Sequence, residues 1–167
     1  MVHVFSEDGT MRRFVPAVLE SNPAHPPVVQ AVDAAHAPLY WFPRMVPRIS
    51  VWARSAADQE VLTERFGTEA SRICAAENES LAAIRSTRLY RYTFDGAPFS
   101  AWGQGEGQFV ASVVVRPERV DPIDDLIDAH AAAGVELRLT PRLGALMDAV
   151  LSSGLPFGFV RIRDARR

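Results

Sequence analysis

A chain of 167 residues with a formal net charge of −2 has the size of one ordinary domain, large enough to bury about two thirds of its unfolded surface, and lacks the basic excess of a general nucleic-acid or membrane-surface binder. All 18 basic residues are arginine, which excludes a lysine Schiff base, a lysine general base and a Walker-type phosphate lysine. The single cysteine, Cys74, excludes an intrachain disulfide and a thiolate metal cluster, and with no charged leader and no apolar run near the roughly 20 residues of a membrane span, the expected location is the cytoplasm.

The chain opens on Val2 to Phe5, whose alternation predicts a strand with His3 and Phe5 on one face and Val2 and Val4 on the other. Ser6, Glu7 and Asp8 follow, and Gly9 allows a turn that folds them back over His3, which is then a pocket wall or a hydrogen-bonded core member. Phe14 to Leu19 is a short strand or helix, and SNPAHPP after it is a surface loop with His25 exposed.

Val28 to Ala53 holds the densest cluster of aromatic, imidazole and guanidinium groups. Val28 to Val32 is apolar and β-branched enough for a buried strand, and Asp33 caps the turn that ends it. His36, Tyr40 and Arg44 are spaced four apart, but Pro38 and Pro43 limit any helix to one or two turns between them, with His36 before it and Arg44 after it. Pro47 stiffens the approach to a second strand, Ile49 to Ala53. Arg44 and Arg48 therefore leave a loop of little freedom, which suits guanidinium forks meeting a carboxylate or phosphate. In the alternative reading Leu39, Trp41 and Phe42 are core, and the arginine stems cover it.

Beyond this stretch, Ser55 with Asp58 starts a helix that Gly67 ends, carrying Val61, Leu62 and Phe66 as its apolar stripe. Arg72 to Ala76 is a strand with Cys74 buried in it, Asn78 caps a short helix through Ile84, and Glu77 at their junction is aimed inward. Arg88 to Phe94 is the clearest strand, Tyr90, Tyr92 and Phe94 facing the core and Leu89, Arg91 and Thr93 facing away. Asp95 to Gln108 is a glycine-rich loop, either a flap with Trp102 as its lid or a plain hairpin turn. Its glycines precede a strand, so they do not form a phosphate loop. Phe109 to Val115 is a strand.

Asp121 as N-cap, Pro122 at the first helical position and Asp124 in the first turn predict a helix start. Ile123, Leu126, Ile127 and His130 are its inner stripe, with His130 at the core edge and Gly134 as the stop. Val135 to Leu139 is a strand, Thr140-Pro141 repeats the cap-then-proline start, and Gly154 ends that helix. Phe157 to Ile162 closes the sheet before an arginine-rich solvated tail. The expected fold is α+β, one domain over residues 1–167, with a mixed, largely antiparallel sheet of roughly six to eight strands and about four helices.

The opening HVFSED, the phenylalanine-proline segment that follows, the block HAPLYWFPR with its second proline-arginine, the strand LYRY and the turn VELRLTP together resemble a family of short, uncharacterised bacterial single-domain proteins over nearly the whole chain. A more distant likeness is to ADP-ribosyltransferase-like enzymes, including RNA 2′-phosphotransferases and DNA-modifying toxins. That likeness implies that His3 holds the ribose of NAD, that Tyr40 stands near the nicotinamide, and that a glutamate completes the site. Phe109 to Val115 has no acidic residue, which leaves Glu77, Glu106 or Glu118 for the last role.

Three functional readings follow. In the first, a nucleotide- or NAD-using transferase binds a small anionic ligand, with His3 on a ribose hydroxyl, Tyr40 or Trp41 on a base, Arg44 or Arg48 on phosphate, and Ser6, Asp33 and Trp102 completing the lining. In the second, an acid–base isomerase, cyclase or lyase acts on a small carboxylate, with His36 or His3 as base, Asp33 orienting it and Arg44 clamping the substrate. In the third, the aromatic-arginine block is the surface of a non-catalytic binding module.

Overall fold

The structure, a computed structural model, describes residues 1–165. In chain order its elements are β1 (Val2–Ser6), β2 (Val29–Val32), β3 (Arg48–Trp52), α1 (Ala56–Phe66), β4 (Arg72–Glu77), α2 (Leu81–Ser86) and β5 (Leu89–Phe94). They continue with β6 (Ser100–Ala101), β7 (Gln108–Ala111), β8 (Arg119–Ile123), α3 (Leu126–Ala132), β9 (Glu136–Thr140), α4 (Gly144–Leu151) and β10 (Phe157–Val160). The class is α+β, as the sequence predicts, but the strands divide between two sheets and the chain between two compact units. Alternation assigns a residue to a face and says nothing about which strand lies beside it, so sheet membership is invisible locally.

The first unit, Met1–Tyr40 with Arg88–Asp124, holds a six-stranded antiparallel sheet in the order β6-β7-β2-β1-β5-β8. β1 lies inside it, held by β2 and β5. One face carries Val2, Val29, Ala31, Tyr92, Phe94 and Ala111 into a core closed by Phe14 and Val115, where the Phe14 ring stands edge-on to Tyr92 at 5.0 Å and Phe94 at 5.2 Å. The Tyr92 hydroxyl donates to the Asp8 carbonyl at 2.6 Å and accepts from the Met11 amide at 3.2 Å, tying down the turn after β1. The opposite face carries polar side chains among apolar ones: direct register partners run Gln108, Val32, His3, Thr93, Arg119 across β7, β2, β1, β5 and β8.

Phe14 to Leu19 is neither strand nor helix; Phe14 and Ala17 make single bridges to Val115 and Val28, and Pro16 between them has no amide to donate. The strand expected over Phe109 to Val115 ends at Ala111, and Val115 forms an isolated bridge to Phe14.

The second unit, Trp41–Thr87 with the described residues from Asp125 on, holds β10-β3-β4-β9, antiparallel except for β4 against β9. Ile49, Val51, Ile73 and Ala75 of the sheet pack with Leu62 and Phe66 of α1 and with Leu143, Val150 and Leu155. The α1 caps are as predicted, Ser55 Oγ accepting from the Asp58 amide at 3.1 Å and Gly67 in the left-handed region at φ 64°. The other sheet face presents Arg48, Ser50, Trp52, Arg72 and Cys74, all buried.

Three expectations for the C-terminal part are corrected. Asp121 and Pro122 do not start a helix: both lie in β8, an edge strand where a proline's missing amide breaks no ladder bond on its solvent side. The cap of α3 is Asp125, whose Oδ1 accepts from the Ile127 and Asp128 amides at 2.9 Å each. Thr140 closes β9 and its hydroxyl donates to the Arg142 carbonyl at 2.8 Å, so α4 begins only at Gly144. His130 is not at the core edge but fully buried, its ring 5.4 Å from Trp41 and 4.9 Å from Phe42, with Nδ1 2.6 Å from the Leu126 carbonyl oxygen. In the arginine-rich end, Ile162–Asp164 forms a 3-10 turn, and Arg166 and Arg167 lie outside the described residues. Among the described residues no helix is long and apolar enough to cross a membrane.

Candidate functional site

The turn that leaves β2 organises the ionisable groups of the first unit. Asp33 Oδ1 accepts the His36 amide at 2.9 Å and lies 2.7 Å from His36 Nδ1. A carboxylate three residues before a histidine caps the turn and sets the imidazole plane with the same oxygen. A 3-10 helix over Ala37–Tyr40 follows, as the prolines require, with Leu39 buried. The Tyr40 hydroxyl accepts from the Gln108 side-chain amide at 3.1 Å.

The far nitrogen of the ring, His36 Nε2, stands 3.5 Å from Glu106 Oε1. Glu106 is in the turn of the β6–β7 hairpin, and the Asp33 amide fastens that turn by donating to the Gly107 carbonyl at 2.9 Å. Gly107 has φ 70°, and a Cβ there would fall 2.0 Å from His36 Nδ1, so only glycine allows this close approach. Side-chain exposure is 14% for His36, 33% for Asp33 and 41% for Glu106, so the group is shielded on the imidazole side and open on the carboxylate side. Trp102, at the other end of the hairpin turn, is buried and stands edge-on to His25 at 4.5 Å. His25 is thus half-buried instead of exposed, because the proline loop brings it to the indole.

His3 occupies the centre of the polar face, 3.2 Å from Thr93 Oγ1 through Nδ1. Burial, and after it the positive charges of Arg91, the N-terminus and Arg119, lower its pKa below the ordinary histidine value, against a weaker opposite pull from Asp33. Ser6 is three residues further along β1, roughly 10 Å away at strand rise, and its hydroxyl accepts from the Asp8 amide at 3.1 Å. The structure therefore gathers Asp33, His36, Tyr40 and Glu106, sets His3 beside them across the β1–β2 pair, and leaves Ser6 apart.

Trp41, Arg44 and Arg48 belong to the second unit. Arg44 is exposed. Arg48 is buried, donating to the Val46 carbonyl at 3.0 Å, with its guanidinium 5.7 Å from the Phe42 ring centre, and Trp41 packs on His130. Glu77 points inward as predicted, with Oε1 accepting the Leu143 amide at 3.3 Å, and Glu118 is exposed. Burial pushes the Cys74 thiol up to about 11, so it is no thiolate near neutral pH.

Sequence reasoning gave no functional role to Gln108, Arg91, Arg119 or Asp121. Only Arg91 left a signal, as the odd charge on the non-aromatic side of the strand LYRYTF.

The family model described as "Family of unknown function (DUF6886)" matches residues 3–165, and the chain belongs to that family. No curated protein and no solved structure matches it.

Proposed function

We propose that this member of the DUF6886 family is an acid–base enzyme acting on a small carboxylate substrate, an isomerase, cyclase or lyase in which His36 moves the proton. The observation that supports this is the shared Asp33 oxygen, 2.9 Å from the His36 amide and 2.7 Å from Nδ1. It favours the tautomer with the proton on Nδ1, which makes Nε2 the base, and it stabilises the imidazolium formed once a substrate C–H proton has moved to Nε2. Glu106 Oε1, 3.5 Å from Nε2, stands where a substrate carboxylate or its acidic carbon would be, so the hairpin turn opens to admit it. The Tyr40 hydroxyl, at the end of the 3-10 helix that follows His36, is of the type that donates to a developing enolate.

The test is proton exchange. In deuterium oxide, a panel of small keto, hydroxy and dicarboxylic acids is followed by proton NMR with the wild type, His36→Gln and Asp33→Asn. Exchange into at least one acid is expected from the wild type, with a loss of about 100-fold or more in either variant at unchanged folding. Wild-type inertness toward the whole panel, or full activity in His36→Gln, overturns the reading.

The second reading, an NAD-using ADP-ribosyltransferase-like transferase, draws support from Glu106, which joins His36 in the unit that also carries His3 and Tyr40. Nicotinamide release from NAD that depends on Glu106 and His3, without proton exchange into any acid, would select it.

A further inference from the structure

We infer that the polar face of β5 and β8 carries a carboxylate-binding subsite formed by Arg91 and Arg119 around Asp121, with His3 and Phe5 at its border. It uses none of the residues given roles in the acid–base reading, so it stands or falls separately from that reading. Register places the group: Phe5, Arg91 and Asp121 are direct partners across three strands, as are His3, Thr93 and Arg119. At about 4.8 Å between strands these side chains fall within a patch roughly 10 Å across.

Charge and donor geometry then indicate an anion. Arg91 Nη2 is 3.1 Å and Arg119 Nε 2.8 Å from the same Asp121 oxygen, Oδ2. Two guanidinium groups thus share one carboxylate, and the cluster keeps one positive charge in excess. Arg91 Nε is buried with no hydrogen-bond partner among the described residues, a donor that calls for an acceptor. The side chains are nonetheless reachable, 37% exposed for Arg91 and 63% for Arg119. A single excess charge with a planar fork matches a carboxylate, whereas a phosphate, with its greater charge, would call for a further cation. Phe5, half-buried directly opposite Arg91, offers an apolar wall for the carbon chain behind that carboxylate. Neutral His3 neither repels the pair nor competes with them.

The probes are acetate, succinate and inorganic phosphate, titrated into the full chain while the arginine Nε–H signals are followed by NMR. Succinate or acetate is expected to shift the Arg91 Nε–H saturably. Arg91→Lys weakens that binding about tenfold or more because an ammonium lacks the fork. Asp121→Asn tightens it several-fold, because the internal competitor loses its charge, and Arg119→Gln weakens it should Asp121→Asn fail to fold. A flat titration, phosphate binding without carboxylate binding, or weaker binding in a folded Asp121→Asn overturns the subsite. Succinate binding is expected to stay intact in His36→Gln, so absence of proton exchange in a wild type that binds succinate condemns the acid–base reading alone, and a flat succinate titration of a wild type that exchanges protons condemns this one alone.

Discussion

Each unit has a sheet with one apolar face and one face bearing arginines, and the two arginine faces differ. In the second unit Arg48 and Arg72 are buried; Arg72 donates to Ser50 Oγ at 3.0 Å and lies over the Trp52 ring at 4.4 Å, while Arg48 serves a backbone carbonyl. Those guanidinium groups are buried packing elements whose planes lie against aromatic rings. In the first unit Arg91 and Arg119 remain partly exposed and share a single carboxylate. Both sheets carry arginines, so it is exposure that separates the two faces, and the exposed pair is the one proposed above to meet a ligand.

That contrast can be broken most severely at the centre of the second unit. His130→Ala removes a fully buried ring from between Trp41 and Phe42 and its bond to the Leu126 carbonyl, and is expected to cost about 3 kcal/mol. Urea unfolding measures it; a loss under about 1 kcal/mol would show that the ring is not part of the packing. A smaller effect comes from Asp125→Ala, which deletes the observed cap of α3 and should cost about 1 kcal/mol without changing succinate binding.

His3 offers a pH readout in the first unit. Because burial and then Arg91 hold its folded pKa below the ordinary 6.5, the folded chain favours the neutral ring. Its contribution is complete above the unfolded value and is lost as pH falls through the folded one. Unfolding free energy should therefore drop on acidification below about 6.5, and His3→Gln should flatten that part of the profile. An unchanged slope in the variant would mean that His3 is not held neutral. The smallest effect on stability belongs to Asp121→Ala, expected within roughly 0.5 kcal/mol because its ion pairs are partly exposed and solvent-screened. If it destabilised as much as Asp125→Ala, the reading of β8 as an edge whose ions serve a ligand would need replacing.

What the sequence determined by itself is what neighbours along the chain can decide. Asp33 three residues before His36, Ser55 three before Asp58 and glycine at 67 each specify a bond or a dihedral within one turn, and each is present. Alternation likewise placed Tyr92 and Phe94 on the core face and Arg91 away from it, and Glu77 at its strand–helix junction was legible as inward-facing. The tertiary structure decided everything that depends on which strands lie side by side. Asp121-Pro122 reads locally as a helix start, but pairing of β8 with β5 claims it for a strand, and the helix begins after Asp125. Glu106 meets His36, and Gln108 meets Tyr40, only because β7 pairs with β2. Arg91 and Arg119 become one cluster only because register aligns them on Asp121. Local patterns fix the direction of a side chain, but the partner it meets is set by hydrogen-bonded register between segments far apart in sequence.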